Sequence, residues 1–393
     1  MHASAPARVL MVSGEYPPRL GGVGAYTARL CAALAPELAE VAVLTAGPHP
    51  GGPPEAGADN PRRVARAVPT WGVRAFPWVA RAARAWGADL LHLQYQAGAY
   101  QLSATLPLLP LWLRLRLPAL RLGVTFHDLR PPYLFPKAGP LRPAALRLLA
   151  RACHGVVCTE AADLRALGPA PHCRHIPLAS NLDCQPPPGF APRAWRAARG
   201  LPPDAPLIGF FGFVNSSKGL DTLLQALAAL PDARLALIGG EVGASDPTDL
   251  LETRRIRALE QQLDLAGRVW RSGPLPPTDV SAALLACDVL ALPFLDGASG
   301  RRGTLLAALT HGRAVITTRG PADALLTDGA DALLVQPANA PALAAALRAV
   351  LADGALRTRL EAGARRLAAR FTWPAIARAH ADWYRELLAG PRS

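Results

Sequence analysis

The residues best placed to do chemistry are a lysine, a histidine and three glycine-rich runs. Residues 207–211 are a short apolar, aromatic run that reads as a buried strand. A polar turn bounded by Gly212 and Gly219 follows. From Leu220 the apolar residues recur at Leu223, Leu224 and Leu227, a helical spacing. Strand, glycine loop and helix, in that order, present backbone N–H groups and a helix N-terminus to a phosphate. Lys218 stands at the mouth of that helix, where a compact ammonium suits the same ligand. Of the 42 Lys and Arg, only Lys137 and Lys218 are lysines. Taken alone, the stretch fits an ordinary turn with an exposed lysine equally well.

Two further loops follow the same logic. After the apolar run 8–12, Gly21, Gly22 and Gly24 precede a helical pattern of Tyr26, Leu30, Leu34 and Leu38. Glycines without a Cβ let backbone approach a ligand closely. Their spacing is not the G-x-G-x-x-G of a dinucleotide site. After the apolar run 288–293, Ser299, Gly300, Arg301, Arg302, Gly303 and Thr304 open another helix, and Asn215 lies in the Lys218 loop. The two arginines point to a second anion cradle beside Lys218. His127 and Asp128 directly follow the strand pattern 122–126. Polar groups at the carboxyl end of a parallel strand face the ligand crevice, which makes His127 the candidate site histidine.

The elements that must position these groups come from a chain of 393 residues, 51% hydrophobic, enough for about two or three domains. No apolar run reaches the roughly 18 residues of a membrane span, and no secretory signal is visible, so a cytoplasmic protein is expected. The net charge is +13 and uneven: residues 1–200 hold 22 Lys and Arg against 10 Asp and Glu, and the rest are nearly balanced. With few aromatics and no recognition motif, a nucleic-acid partner is not expected. An anionic membrane surface or an acidic lipid acceptor fits better, with a leucine-rich segment bearing Trp112, Arg114 and Arg116 as an amphipathic candidate. Six cysteines form no C-x-x-C pair and match no zinc spacing, so a metal site is not expected.

Strand and helix patterns alternate through both halves, which implies parallel sheets covered by helices. The expected division is residues 1–185, a proline-rich linker at 186–206, a second domain at 207–370 and a closing helix at 371–393 packing back on the first domain. Several stretches carry a family resemblance: YPPRLGGVGAYTARL at 16–30, DLLHLQY at 89–95, VTFHDLRPPY at 124–133, FFGFVNSSKGLDTLL at 210–224, ACDVLALPF at 286–294, GTLLAALTHGRAVITT at 303–318 and FTWPAIARAHADWY at 371–384. In order and spacing these resemble the retaining glycosyltransferases of family 4.

That resemblance implies the GT-B fold: an α/β protein of two Rossmann-like, doubly wound parallel-sheet domains facing across a cleft. It implies a nucleotide-sugar donor on the second domain, a glycan or lipid-linked acceptor on the first, and retaining transfer without a required metal or cofactor. Carried over by motif position, Gly22 and Gly24 approach the donor diphosphate, His127 contacts the donor sugar, Lys218 neutralises the diphosphate, and residues 299–304 hold sugar and phosphate through backbone N–H groups. The chain departs from the family at three places. Phe213 stands where an arginine is frequent, and Ser299 and Ala307 stand where two glutamates are common. The second glutamate usually grips the nucleotide ribose, which Ala307 cannot do. A non-catalytic nucleotide-sugar-binding subunit is therefore the alternative reading.

Overall fold

The computed structural model describes residues 7–19, 21–37, 40–47, 63–129, 141–240, 248–320 and 325–390. Leu38, Lys137, residues 130–133 of the quoted motif and most of the stretch 47–61 lie outside them. The chain divides into two compact units, Met1–Ala179 with Trp373–Ser393, and Ser180–Thr372.

The first unit runs β1 (Arg8–Ser13), α1 (Gly22–Leu34), β2 (Glu40–Ala46), β3 (Val64–Val68), α2 (Phe76–Trp86), β4 (Leu90–Tyr95), α3 (Leu109–Arg116), β5 (Arg121–Phe126), α4 (Leu141–Ala152), β6 (Gly155–Cys158), α5 (Ala161–Leu167) and β7 (Cys173–His175). The second runs α6 (Pro192–Ala197), β8 (Leu207–Phe211), α7 (Leu220–Ala228), β9 (Arg234–Ile238), α8 (Thr248–Gln262), β10 (Val269–Arg271), α9 (Pro277–Ala286), β11 (Val289–Leu292), α10 (Gly303–Thr310), β12 (Val315–Thr318), β13 (Leu333–Val335), α11 (Ala340–Ala352) and α12 (Gly354–Ala368). The closing helix α13 (Trp373–Ala389) returns to the first unit.

Each unit holds one sheet. The first has seven strands in the order β3-β2-β1-β4-β5-β6-β7, the second six in the order β10-β9-β8-β11-β12-β13. All pairings of named strands are parallel. The central strands are buried along their length because helices cover both faces. In the first unit, Val12, Leu93 and Val124 pack with α2 and α3, while Val9 and Met11 pack with Tyr26 and Leu30 of α1 and with Trp383 and Tyr384 of α13. The Trp383 indole lies in notches left by Gly123 and Gly155, where an added Cβ would stand 2.6 and 2.8 Å from its ring.

Both sheets reverse their strand order once, between β1 and β4 and between β8 and β11. A ligand binds such α/β sheets outside the carboxyl ends of the strands at this reversal. Residues 186–206 are folded into the second unit. Trp195 and Leu201 join its core. Arg196, 6% exposed, donates to the carbonyls of Ala286, Pro203 and Ala205 and pairs with Asp288 at 2.9 Å. Prolines mark this stretch because it turns often, while its one buried guanidinium ties the turns down.

Candidate functional site

In the second unit the two loops flanking the reversal are joined. Leu295 N donates to Ser217 O at 2.9 Å. Gly219, at φ +65°, leaves room for the Pro293 carbonyl, which an added Cβ would meet at 2.1 Å. Asn215 begins the single turn Ser216–Lys218, its carbonyl accepting from Lys218 N at 3.2 Å and its Oδ1 from Ser217 Oγ at 2.9 Å. Lys218 Nζ comes back over the end of β8. A Cβ on Gly212, at φ +126°, would stand 2.2 Å from Nζ and 3.0 Å from Thr304 Cγ2. Lys218 and Thr304 are 86 positions apart in the sequence, and the strand reversal brings them together.

Thr304 lies in the first turn of α10. That turn has no side-chain cap and no acidic residue, so no capping side chain takes its leading N–H groups, and a lysine lies beside it. Arg302, the residue before the helix, is turned inward: its guanidinium lies 4.5 Å from the Phe294 ring centroid and pairs with Asp296. Arg301 is exposed. Phe213 is 43% exposed, and Ala307 is buried, its carbonyl accepting from His311 Nδ1 at 2.7 Å.

The first unit fills the equivalent place from within. Glu15, just beyond β1, turns its carboxylate onto the N-terminus of α1. Oε1 accepts from Val23 N at 3.1 Å and Gly24 N at 3.2 Å. A Cβ on Gly21 would collide with this carboxylate at 2.1 Å, and one on Gly24 would press on Tyr16 Cα at 3.0 Å. These two glycines therefore make room for the loop's own atoms. Gly22 is different: an added Cβ meets nothing within 4 Å. The sequence expectation had the backbone at Gly22 and Gly24 approach a diphosphate, but the Gly24 N–H is donated to Glu15.

His127, 8% exposed, closes β5. Its N–H donates to Tyr95 O at 3.0 Å, and Thr159 Oγ1 donates to the Phe126 carbonyl at 3.3 Å. Its Nε2 lies 2.9 Å from Gln94 Oε1, and the Tyr26 ring meets the imidazole edge-on at 4.9 Å. Burial, and then the charge of His380, push its pKa down to about 3. His127 is thus a neutral imidazole at physiological pH. Behind it, His92 joins Tyr384 OH at 2.6 Å and Thr125 Oγ1 at 2.8 Å, and His380 Nδ1 donates to Ile376 O at 2.9 Å. Burial is again the main cause lowering His92, and lowering His380 to about 4.

The structure thus gathers Asn215, Lys218 and Thr304 within the second unit, while in the first His127 meets Gln94 and Glu15 meets the start of α1. Glu15 and Gln94 were not singled out from sequence. The signal existed, because each is a polar residue at the carboxyl end of an apolar strand, the criterion that selected His127. Among the described residues no group of His, Cys, Asp and Glu could hold a metal ion, and no helix is long and apolar enough to cross a membrane.

Comparison with known proteins follows this geometry. The model for glycosyl transferases group 1 matches residues 205–353, and that for the glycosyl transferase 4-like domain matches 21–179. A D-inositol 3-phosphate glycosyltransferase of Xylanimonas cellulosilytica is 36% identical over 217 residues, 53% of this chain and 50% of that protein. The lipopolysaccharide core biosynthesis glycosyltransferase LpsE of Rhizobium meliloti is 32% identical over 197 residues, 49% of this chain and 53% of that protein. The chain spans about half the length of the curated relatives it matches. Among solved structures, a sucrose-phosphate synthase from Thermosynechococcus elongatus superposes with a TM-score of 0.76 at 26% identity, covering 98% of this chain and 99% of that one. Anabaena Alr3699/HepE in complex with UDP gives 0.73 at 17% identity, covering 97% and 100%.

Proposed function

The chain belongs to the family 4 glycosyltransferases of GT-B fold, and from that premise we propose that it moves a sugar from a nucleotide-diphosphate donor to a hydroxyl acceptor with retention of configuration and without a metal. The observation that carries the reading is Lys218 beside Thr304 at the uncapped start of α10. Breaking a glycosyl–phosphate bond leaves negative charge on the departing diphosphate. A lysine and uncapped N–H groups aimed at such charge are a strong lever on the barrier. His127 suits the sugar rather than the phosphate, since a neutral imidazole offers hydrogen bonds and no positive charge.

Calorimetry of the full chain with UDP, GDP and ADP, followed by incubation with the matching nucleotide sugars, tests the proposal. Binding of one diphosphate with slow donor hydrolysis or transfer is the expected result. No binding across the panel overturns it. Diphosphate binding with no turnover selects the second reading, a non-catalytic nucleotide-sugar-binding subunit that scaffolds an active partner. Ser299 and Ala307 favour that reading.

The acceptor side is proposed to be the basic first unit, at an anionic membrane surface or a lipid-linked glycan. Helices α2 and α3 border a groove of about 640 Å³ lined by Arg81, Arg84, Trp112 and Arg116. Leu111 and Leu115 stand exposed nearby, at 38% and 83%. No acidic residue occurs between Leu90 and His127. Arginine, tryptophan and leucine on one surface suit an anionic bilayer. Sedimentation with phosphatidylglycerol vesicles should fall as salt rises. Equal sedimentation with neutral vesicles would remove the membrane part.

A further inference from the structure

We infer that Gln94 is the positioning residue that holds His127 as its Nε2–H tautomer, so that the imidazole meets a ligand through an unprotonated Nδ1. The orientation of the Gln94 amide settles the protons. Its Nε2 lies 3.7 Å from Met11 Sδ. A thioether sulfur only accepts, so the amide nitrogen belongs on that side. The amide oxygen then faces His127 Nε2 at 2.9 Å, and an oxygen that only accepts requires Nε2 to carry the hydrogen. A neutral ring has one hydrogen, which leaves Nδ1 as the acceptor.

None of the described residues hydrogen-bonds Nδ1, and it is not one of the fully buried unpartnered atoms. The rest of the shell holds the arrangement still. Gln94 belongs to β4 and pairs in register with Thr125 of β5. His92, two residues earlier on β4, is fixed at both ring nitrogens by Tyr384 OH and Thr125 Oγ1. The groups facing His127 are Gln94 and His92 from β4, Tyr26 from α1, His380 from α13 and Asp128 next in the chain. Asp128 accepts from Gln96 Nε2 at 3.2 Å.

The consequence deepens the glycosyl-transfer reading and depends on it for the ligand's identity. A bare Nδ1 accepts from a hydroxyl and repels a phosphate oxygen. His127 therefore suits a sugar O–H rather than a phosphate oxygen. The tautomer is set by the protein alone, before any substrate arrives.

Imidazole nitrogen spectra of the 15N-labelled full chain, with the His127 signals identified by their loss in His127→Gln, test this without substrate. At neutral pH the expected pattern is a protonated Nε2 and a bare Nδ1. The opposite pattern overturns the inference. In Gln94→Leu the acceptor is gone and the two tautomers should mix; an unchanged spectrum overturns it. Gln94→Glu keeps an acceptor and should restore the Nε2–H pattern while moving the His127 titration up by at least about one unit, because a carboxylate favours the charged ring. Titration at the wild-type position overturns it. If Gln94→Leu does not fold, the wild-type and Gln94→Glu spectra still decide. A nucleotide-sugar panel without binding would remove the functional reading and leave the tautomer result standing.

Discussion

The two units share a strand order around the reversal and both place a glycine loop there, yet they finish it in opposite ways. At β1 the chain supplies its own anion, Glu15, to the N–H groups of Val23 and Gly24. At β8 and β11 it supplies a cation, Lys218, and leaves the α10 N-terminus without a side-chain cap. The units also differ behind the site. The first buries three histidines, His92 and His127 bridged by Gln94 and His380 against the His92 ring, whereas His311 is the only histidine of Ser180–Thr372. A glycine loop ahead of a helix is therefore an anion site only if nothing in the chain has taken it.

The largest expected effect separates the units by acid. His127 and His380 have folded pKa values of about 3 and about 4, below their ordinary 6.5. The unfolded chain binds the extra protons between those values. Their contribution is thus complete above pH 6.5 and is lost as pH falls toward 3 or 4. At about 1.4 kcal/mol per unit, lowering pH from 6.5 to 5 costs about 2 kcal/mol for each. Hydrogen exchange at falling pH should open the first unit before the second; simultaneous opening would erase that difference.

The next effect tests the lysine-bearing loop of the second unit. Lys218→Ala should weaken diphosphate binding by about 1.5–3 kcal/mol, the range for a charged hydrogen bond. Unchanged affinity in calorimetry would take Lys218 out of the site. A pair of glycine changes then tests the filled one. Gly24→Ala forces a Cβ against backbone and should destabilise the first unit by about 1–3 kcal/mol. Gly22→Ala, into open space, should be neutral or stabilising by up to about 1 kcal/mol. Equal denaturant midpoints for the two would contradict the close approach at Gly24. A smaller effect than Gly24→Ala is expected of Glu15→Ala, which strips the acceptor from two N–H groups and should cost about 0.5–2 kcal/mol, as other N-terminal caps do. Diphosphate affinity should stay the same. A rise would mean that Glu15 competes with the ligand, and the contrast between the units would become one of degree.

The fold was legible where a strand is apolar on both faces. β1, β5, β8 and β11 all stand where the apolar runs predicted them. β3 was missed because VARAV interleaves an arginine at a sheet edge and follows a Gly- and Pro-rich stretch. The amphipathic helices α4 and α5 were missed too, and α6 was read as linker because prolines crowd it. α12 carried a readable signal that was overlooked: Asp353 caps it, accepting from Ala355 N at 2.8 Å and Leu356 N at 2.9 Å. Of the candidate residues, Lys218, Thr304 and His127 were legible as polar residues closing apolar strands or opening helices.

The sequence by itself determined two parallel-sheet units, the loops that end their strands and the scarcity of lysine that made Lys218 conspicuous. Those features depend on local patterning, and apolar periodicity and glycine placement are written in consecutive residues. Only the tertiary structure decided which loop is already satisfied. Glu15 lies eight and nine positions from the N–H groups it occupies, Gln94 lies 33 positions from the histidine it orients, and Arg302 is drawn onto Phe294. Whether a donor is spent or open depends on what approaches it through space, and the order of residues along the chain carries no measure of that distance.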